Sequence, residues 1–332
     1  MGKLKFGVLG CSRHYSLRIS NALKSSGFVE PYAIASRDKE KATKYAMANR
    51  FLAVYDSYEA LLADPKVDFV FIPLPNHLHL EYIKKSADAG KPVLCEKPIT
   101  LNAAQAIEAA AYCKQKNVPL MEAFMYRFHP QWVRAKEIVG CGEIGELLTT
   151  HSHFSYMNKD ANNIRNKADF GGGALYDIGC YAVSNARYLF GREPQRVICY
   201  MLRDEAFKTD VFVSAILDFD NGRTSTFSVS TQMQPYQRVT AVGASGSLSI
   251  EIPFNMFSDV PGKVTVTTSV GQRTIEINPA DQYLLEFDAF AQAIISKTET
   301  PVPVTDAIAN MAALDALYKS GETGKWETVQ QL

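Results

Sequence analysis

The first third of the chain alternates short apolar runs with amphipathic stretches, the pattern of βαβ units in a parallel sheet. KFGVLG (5–10), PYAIAS (31–36), AVY (53–55), FVFIPL (69–74), PVLCE (92–96) and LMEAF (120–124) predict six strands. Their near-continuous Val, Ile, Leu and Phe predict burial on both faces. Between them SLRISNALKSS, DKEKATKYAMA, SYEALLAD, HLHLEYIKKSADAG and NAAQAIEAAAYCKQK read as helices. Gly90 stands where one helix should stop, and Asn102 where the next should be capped.

Beyond Tyr126 the rhythm changes. A helix, QWVRAKEIVG, leads to a long alternating strand, ELLTTHSHFSY, then to a polar loop and to the helical ALYDIGCYAVSNARYLFG, which ends at Gly191. From Pro194 onward RVICYML, VFVSAILDF, TSTFSVSTQ, RVTAVGA, GSLSIEI, KVTVTTS and RTIEI read as strand after strand. Asn221-Gly222 between two of them is a hairpin signal. DQYLLEFDAFAQAIIS and TDAIANMAALDALYKSG close the chain as helices. The expected architecture is an α/β Rossmann domain over 1–124, followed by an α+β domain with an open, mostly antiparallel sheet over 125–332. Phe212, Phe219 and Phe227 read as sheet core or subunit interface.

Composition narrows the partners. The 332 residues are 47% hydrophobic and 21% charged, ordinary for a globular protein, and 35 Lys plus Arg balance 35 Asp plus Glu. A neutral chain gives no basic surface for a phosphate backbone, so nucleic acid is not an expected partner. The six cysteines are scattered without a C-x-x-C pair, which predicts reduced thiols and a cytoplasmic location rather than a disulfide framework or a zinc cage. Neither a signal peptide nor a membrane-spanning segment is expected.

The candidate chemistry sits at strand ends. After the first strand, Gly10-Cys11-Ser12-Arg13-His14-Tyr15 stands where a dinucleotide fold carries G-x-G-x-x-G. Only Gly10 is kept, and Tyr15 is large where a small residue usually packs helix against sheet. The second strand ends in Ser36-Arg37-Asp38, near the position that reads the ribose. Serine and arginine there suit a 2′-phosphate, so NADP(H) is the expected cofactor and NAD(H) the alternative. Asp38 is better placed to cap the next helix. The fourth strand ends in Pro73-Leu74-Pro75-Asn76-His77-Leu78-His79, a polar turn where ligands of open α/β sheets bind. Asn76 is a candidate cap and cofactor contact, and His79 a further contact. His77 and His79 lack a third ligand at metal spacing, so no metal is expected. The fifth strand runs into Glu96-Lys97-Pro98.

In this order, the degenerate glycine turn, ASR, PNHLH, CEKP and GGGALYDIGCY resemble the Gfo/Idh/MocA family over essentially the whole chain. AFMYRFHP and DIGCY look nearest the dihydrodiol dehydrogenase, D-xylose dehydrogenase and sugar ketoreductase branch. The resemblance implies that Lys97 reaches the substrate oxygen, that Tyr181 exchanges its proton and that Asp177 holds a substrate hydroxyl. It also implies a cis Lys97–Pro98 bond and a homodimer, or a tetramer, through the C-terminal sheet. A cation and a hydroxyl aimed at a carbonyl oxygen stabilise the charge that arrives with a hydride.

Glu96 is expected to orient Lys97 or contact the nicotinamide ribose, Arg127 to contact cofactor or substrate, and His153, Phe154 and Arg165 to line the substrate pocket. The expected activity is NADP-dependent hydride transfer at a secondary alcohol or ketone, or the aldose C1, of a sugar or cyclic polyol. Oxidation of trans-dihydrodiols or D-xylose is the near alternative. A cofactor-binding regulatory protein without turnover is the alternative of another class.

Overall fold

The computed structural model of the chain describes residues 2–331. Six parallel strands, β1 (Leu4–Leu9), β2 (Val29–Ala35), β3 (Ala53–Tyr55), β4 (Phe69–Ile72), β5 (Val93–Glu96) and β6 (Leu120–Ala123), pair in the order β3-β2-β1-β4-β5-β6. The reversal of direction beside β1 is the switch point at which such sheets bind ligands. Helices α1 (Lys39–Asn49), α2 (Tyr58–Leu62), α3 (His79–Asp88) and α4 (Ala103–Gln115) connect the strands. Asp38 and Asn102 cap α1 and α4 through Lys41 N–H at 3.0 Å and Gln105 N–H at 2.9 Å.

Two expected local features differ. SLRISNALKSS does not form an α-helix: it makes a π-helical turn (Tyr15–Ile19) and a 3-10 turn (Ala22–Ser25). The fully buried Tyr15 ring packs against Phe6, Phe51 and Phe71, and a wider turn accommodates a ring too large for ordinary helix-on-sheet packing. Asn76 opens a short 3-10 turn, and α3 starts after Leu78 with no side-chain cap.

The second sheet has nine strands: β7 (Leu147–Met157), β8 (Arg196–Arg203), β9 (Asp210–Asp218), β10 (Thr224–Ser230), β11 (Gln232–Gly243), β12 (Gly246–Ile250), β13 (Gly262–Thr268), β14 (Gly271–Ile277) and β15 (Glu327–Thr328). Its order is β14-β13-β12-β11-β7-β10-β9-β8-β15, antiparallel except for the β7–β10 pair. The β9–β10 hairpin turns through Asp220, Asn221 and Gly222, all at positive φ. Helices α5 (Pro130–Gly140) and α6 (Cys180–Phe190) precede most of this sheet, and α7 (Gln282–Ser296) and α8 (Val304–Thr323) lie between β14 and β15.

The chain forms two compact units: Met1–Met125 with Tyr283–Ile308, and Tyr126–Gln282 with Ala309–Leu332. The division read from the sequence has no such return. It arises because α7 lays Phe287 and Phe290 against Phe6, Phe69 and Phe71, with ring centroids 5.2–6.4 Å apart. Each phenylalanine buried there contributes about 2–3 kcal/mol.

Candidate active site

In the first unit, the strand ends converge on the turn after β1. Gly10 has φ +100°, a backbone conformation that favours glycine, and it packs beside Leu74 Cδ2. Tyr45 donates from its hydroxyl to Ser12 O at 2.7 Å and pins the turn from α1. Cys11 is half-buried beside Ser36, and burial pushes its thiol up. Arg13 is exposed, while His14 brings Nε2 within 3.6 Å of Glu96 and sets its ring edge-on to Tyr283.

At the β2 tip Arg37 is exposed and Ser36 half-buried, whereas the Asp38 carboxylate is turned into α1 as its cap. The side chains left at the tip are therefore a hydroxyl and a guanidinium. That donor set fits the 2′-phosphate of NADP better than a bare ribose, which an acid would read.

Lys97 directly follows β5, and the Lys97–Pro98 bond after it is cis. The turn is braced from two sides: His79 lies with Nδ1 2.9 Å from Pro98 O, and Glu122, buried at the end of β6, accepts from Ile99 N–H at 2.7 Å. His79 also places Nε2 2.8 Å from Leu74 O, tying the β4 tip to the β5 tip. Burial pushes its pKa down to about 4, against the pull of the two carbonyls. His79 is fully buried, both its ring nitrogens stand beside backbone carbonyls and the neutral ring can donate to one of them, so, contrary to the sequence expectation, it is no cofactor contact. It shapes the turns that bear Pro73, Leu74, Asn76 and Lys97. Glu122 gave no signal in the sequence, since an acid in an apolar run reads as an interruption.

Glu286 on α7 likewise stands in an apolar run and carries no signal in the sequence. It is 1% exposed, none of the described residues gives its Oε1 a hydrogen bond, and burial with the nearby Glu96 charge raises its carboxyl pKa well above the usual range.

In the second unit, Asp177 sits in a π-helical turn (Leu175–Gly179) that runs into α6, where Tyr181 follows four residues later. Asp177 accepts from Arg165 Nε at 2.9 Å and from the Tyr156 hydroxyl at 2.5 Å. Arg165 thus orients the carboxylate at its back. Burial and that carboxylate push the Tyr156 hydroxyl far up, which keeps it a donor. Tyr181 is 5% exposed, its ring packed by Phe154, Phe254 and Tyr126 at 5.8, 5.3 and 5.9 Å.

Side chains along a strand alternate between faces. Ser152, Phe154 and Tyr156 of β7 face this helix, through Asn185, Tyr181 and Asp177 respectively. His153 lies on the opposite face, edge-on to Tyr236, so the structure separates it from Phe154 and removes it from the candidate pocket. The period-two pattern that excludes His153 also points to Tyr156, a signal available in HSHFSY. Arg127 lies with its guanidinium 4.9 Å over the Tyr188 ring. Gly173, just before DIGCY, has φ +124°, and a Cβ there would stand 2.1 Å from Asp210 Oδ1.

Comparison with known proteins agrees with this layout. The oxidoreductase family described by its NAD-binding Rossmann fold matches residues 4–124, and the GFO/IDH/MocA C-terminal domain matches residues 132–249. The NADP(+)-dependent D-xylose 1-dehydrogenase 2 of Haloferax volcanii is 37% identical over 97% of this chain and 98% of its own. The trans-1,2-dihydrobenzene-1,2-diol dehydrogenase of Xenopus laevis is 34% identical over 68% of each. The crystal structure of KijD10, a 3-ketoreductase from Actinomadura kijaniata in complex with NADP and TDP-benzene, superposes with a TM-score of 0.90 at 29% identity, over 96% of this chain and 98% of that one. With family models matching residues 4–124 and 132–249, the chain belongs to the GFO/IDH/MocA family of oxidoreductases.

Proposed function

We propose that the protein transfers hydride between NADP(H) and a secondary alcohol or ketone, or the aldose C1, of a sugar or cyclic polyol. The carrying observation is the Lys97 turn, a strand-end lysine held on both sides by buried His79 and Glu122. When bound, the cofactor supplies or takes the hydride. Lys97 stabilises the negative charge that builds on the substrate oxygen during reduction, and Tyr181 gives that oxygen its proton. In oxidation the two roles run backward. Asp177, fixed by Arg165 and Tyr156, accepts from a neighbouring substrate hydroxyl.

Gly10, Cys11, Ser12, Arg13 and His14 line the pyrophosphate side of the cofactor, Ser36 and Arg37 its 2′-phosphate, and Pro73, Leu74, Asn76 and Glu96 the nicotinamide side. Aldoses of the D-xylose class come first among substrates, because a relative of that activity is similar along nearly the whole chain. The test is a panel of keto sugars with NADPH and of aldoses and diols with NADP+, beside Lys97→Ala. Turnover on a panel member is expected, and Lys97→Ala should lower kcat by roughly 10²–10³-fold while still binding NADPH. Tight NADPH binding with no turnover on any substrate would instead favour a cofactor-binding regulatory protein.

Six free cysteines support a cytoplasmic location, and no described helix is long and apolar enough to cross a membrane. A homodimer through the second sheet is the proposed assembly. Its support is an apolar patch on one face, where Tyr200, Leu202 and Ile216 are 64%, 49% and 39% exposed.

A further inference from the structure

Asp210 begins β9 and is a buried carboxylate outside the chemistry proposed above, 1% exposed. Its Oδ2 accepts from Leu175 N–H at 2.6 Å. Leu175 opens the π turn, where a helical segment leaves backbone N–H groups without partners of its own. Its Oδ1 accepts from the Tyr318 hydroxyl of α8 at 3.2 Å and occupies the space that any side chain at position 173 would need. Burial raises the Asp210 pKa, while these two donors and its own backbone N–H favour the charged form.

Beyond the turn, Asn310 of α8 donates to Cys180 O at the start of α6 at 3.3 Å, and within α6 Asn185 donates to Tyr181 O at 2.8 Å. The carboxylate is thus the fixed point at the start of the segment, and Asp177 and Tyr181 follow Leu175 by two and six residues. A helix turns about its axis as a rigid rod, so a shift at Leu175 is passed on to both side chains. Misplacement by about 1 Å can cost about 10²-fold in rate.

We infer that Asp210 is a positioning residue for the reaction, setting through the Leu175 N–H and the glycine at 173 the position of the helix that presents Asp177 and Tyr181. The inference rests on the reading of Asp177 and Tyr181 proposed above, so Tyr181→Phe accompanies every measurement as its reference.

The test compares Asp210→Asn and Asp210→Ser for kcat, KM and NADPH affinity on whichever panel substrate turns over. Asparagine matches the shape: its carbonyl accepts from Leu175 and its amide donates to Tyr318, so kcat should stay within roughly threefold of the parent. Serine is too short to reach Leu175, and kcat should fall by roughly tenfold or more with NADPH affinity unchanged. If the serine variant does not fold, Tyr318→Phe takes its place, with an expected two- to fivefold loss of kcat, on the order of a single lost hydrogen bond.

A folded serine variant with parental kcat, a Tyr318→Phe standing in for it with parental kcat, or an asparagine variant as impaired as the serine one overturns the assignment. Any of these beside an inactive Tyr181→Phe overturns the role of Asp210 alone. A parental rate in Tyr181→Phe overturns the reading of the helix, and the role of Asp210 with it.

Discussion

Glu286 lies on α7 with its carboxyl inside the first unit, and burial together with the nearby Glu96 charge raises its pKa well above the ordinary carboxyl range. Below the ordinary carboxyl range both folded and unfolded chains carry the proton, and the residue costs nothing. As pH rises through that range the unfolded chain ionises while the folded one does not, so stability falls until the raised folded pKa is reached. Glu286→Gln removes this penalty. It should raise Tm at pH 7 and leave it nearly unchanged at pH 4; an equal gain at both would show that the acid was not held neutral. Arg37 is the other informative single residue. Exposed at the β2 tip, with Asp38 diverted to its helix cap, it is the charge available for a 2′-phosphate. Arg37→Ala should raise KM for NADP+ by roughly tenfold and leave NAD+ within about twofold, as the loss of one charged hydrogen-bond pair implies. Equal changes for the two cofactors would remove that role.

Among the elements, β7 shows how a strand serves the site through one of its faces. Phe154 packs Tyr181 and Tyr156 holds Asp177, while the residue between Ser152 and Phe154 takes no part, because the pleat sends His153 to the other side. Tyr156→Phe keeps the ring and deletes one bond to the carboxylate. KM for the sugar should rise by about tenfold with a smaller change in kcat, the size of one charged hydrogen bond. A fall in kcat alone would argue that Asp177 takes part in proton transfer rather than in holding a substrate hydroxyl. The two π-helical turns, at Tyr15–Ile19 and Leu175–Gly179, follow the glycine turn after β1 and the glycines before DIGCY. Each is a widened turn at a site segment, a placement common for such irregularities. The sequence periodicity does not register them, because one extra residue per turn hardly changes an apolar pattern.

At the scale of the whole molecule, two fully buried histidines tie stability to pH, one in each unit. His79 and His129 both have pKa values pushed down to about 4 by burial. As pH falls below about 6.5 the unfolded chain takes up protons that the folded chain refuses. Stability is therefore lost progressively from about pH 6.5 to about pH 4, by up to ~3 kcal/mol for each histidine. His129→Gln should keep more of its urea midpoint than the parent as pH falls through this range. Equal drops in the parent and in His129→Gln would show that His129 is not neutral when folded. What the sequence by itself determined is what neighbouring residues encode: strand and helix periods, the Asp38 and Asn102 caps, the Asn221-Gly222 hairpin and the family motifs around Lys97, Asp177 and Tyr181. What only the tertiary structure decided depends on residues distant along the chain. The return of α7 to the first sheet, the bracing of the Lys97 turn by His79 and Glu122, the clamp of Tyr156 and Arg165 on Asp177, and the grip of Asp210 on Leu175 are of this kind. Each joins side chains whose local surroundings carry no trace of the partner, because burial and long-range hydrogen bonds exist only once the chain has closed.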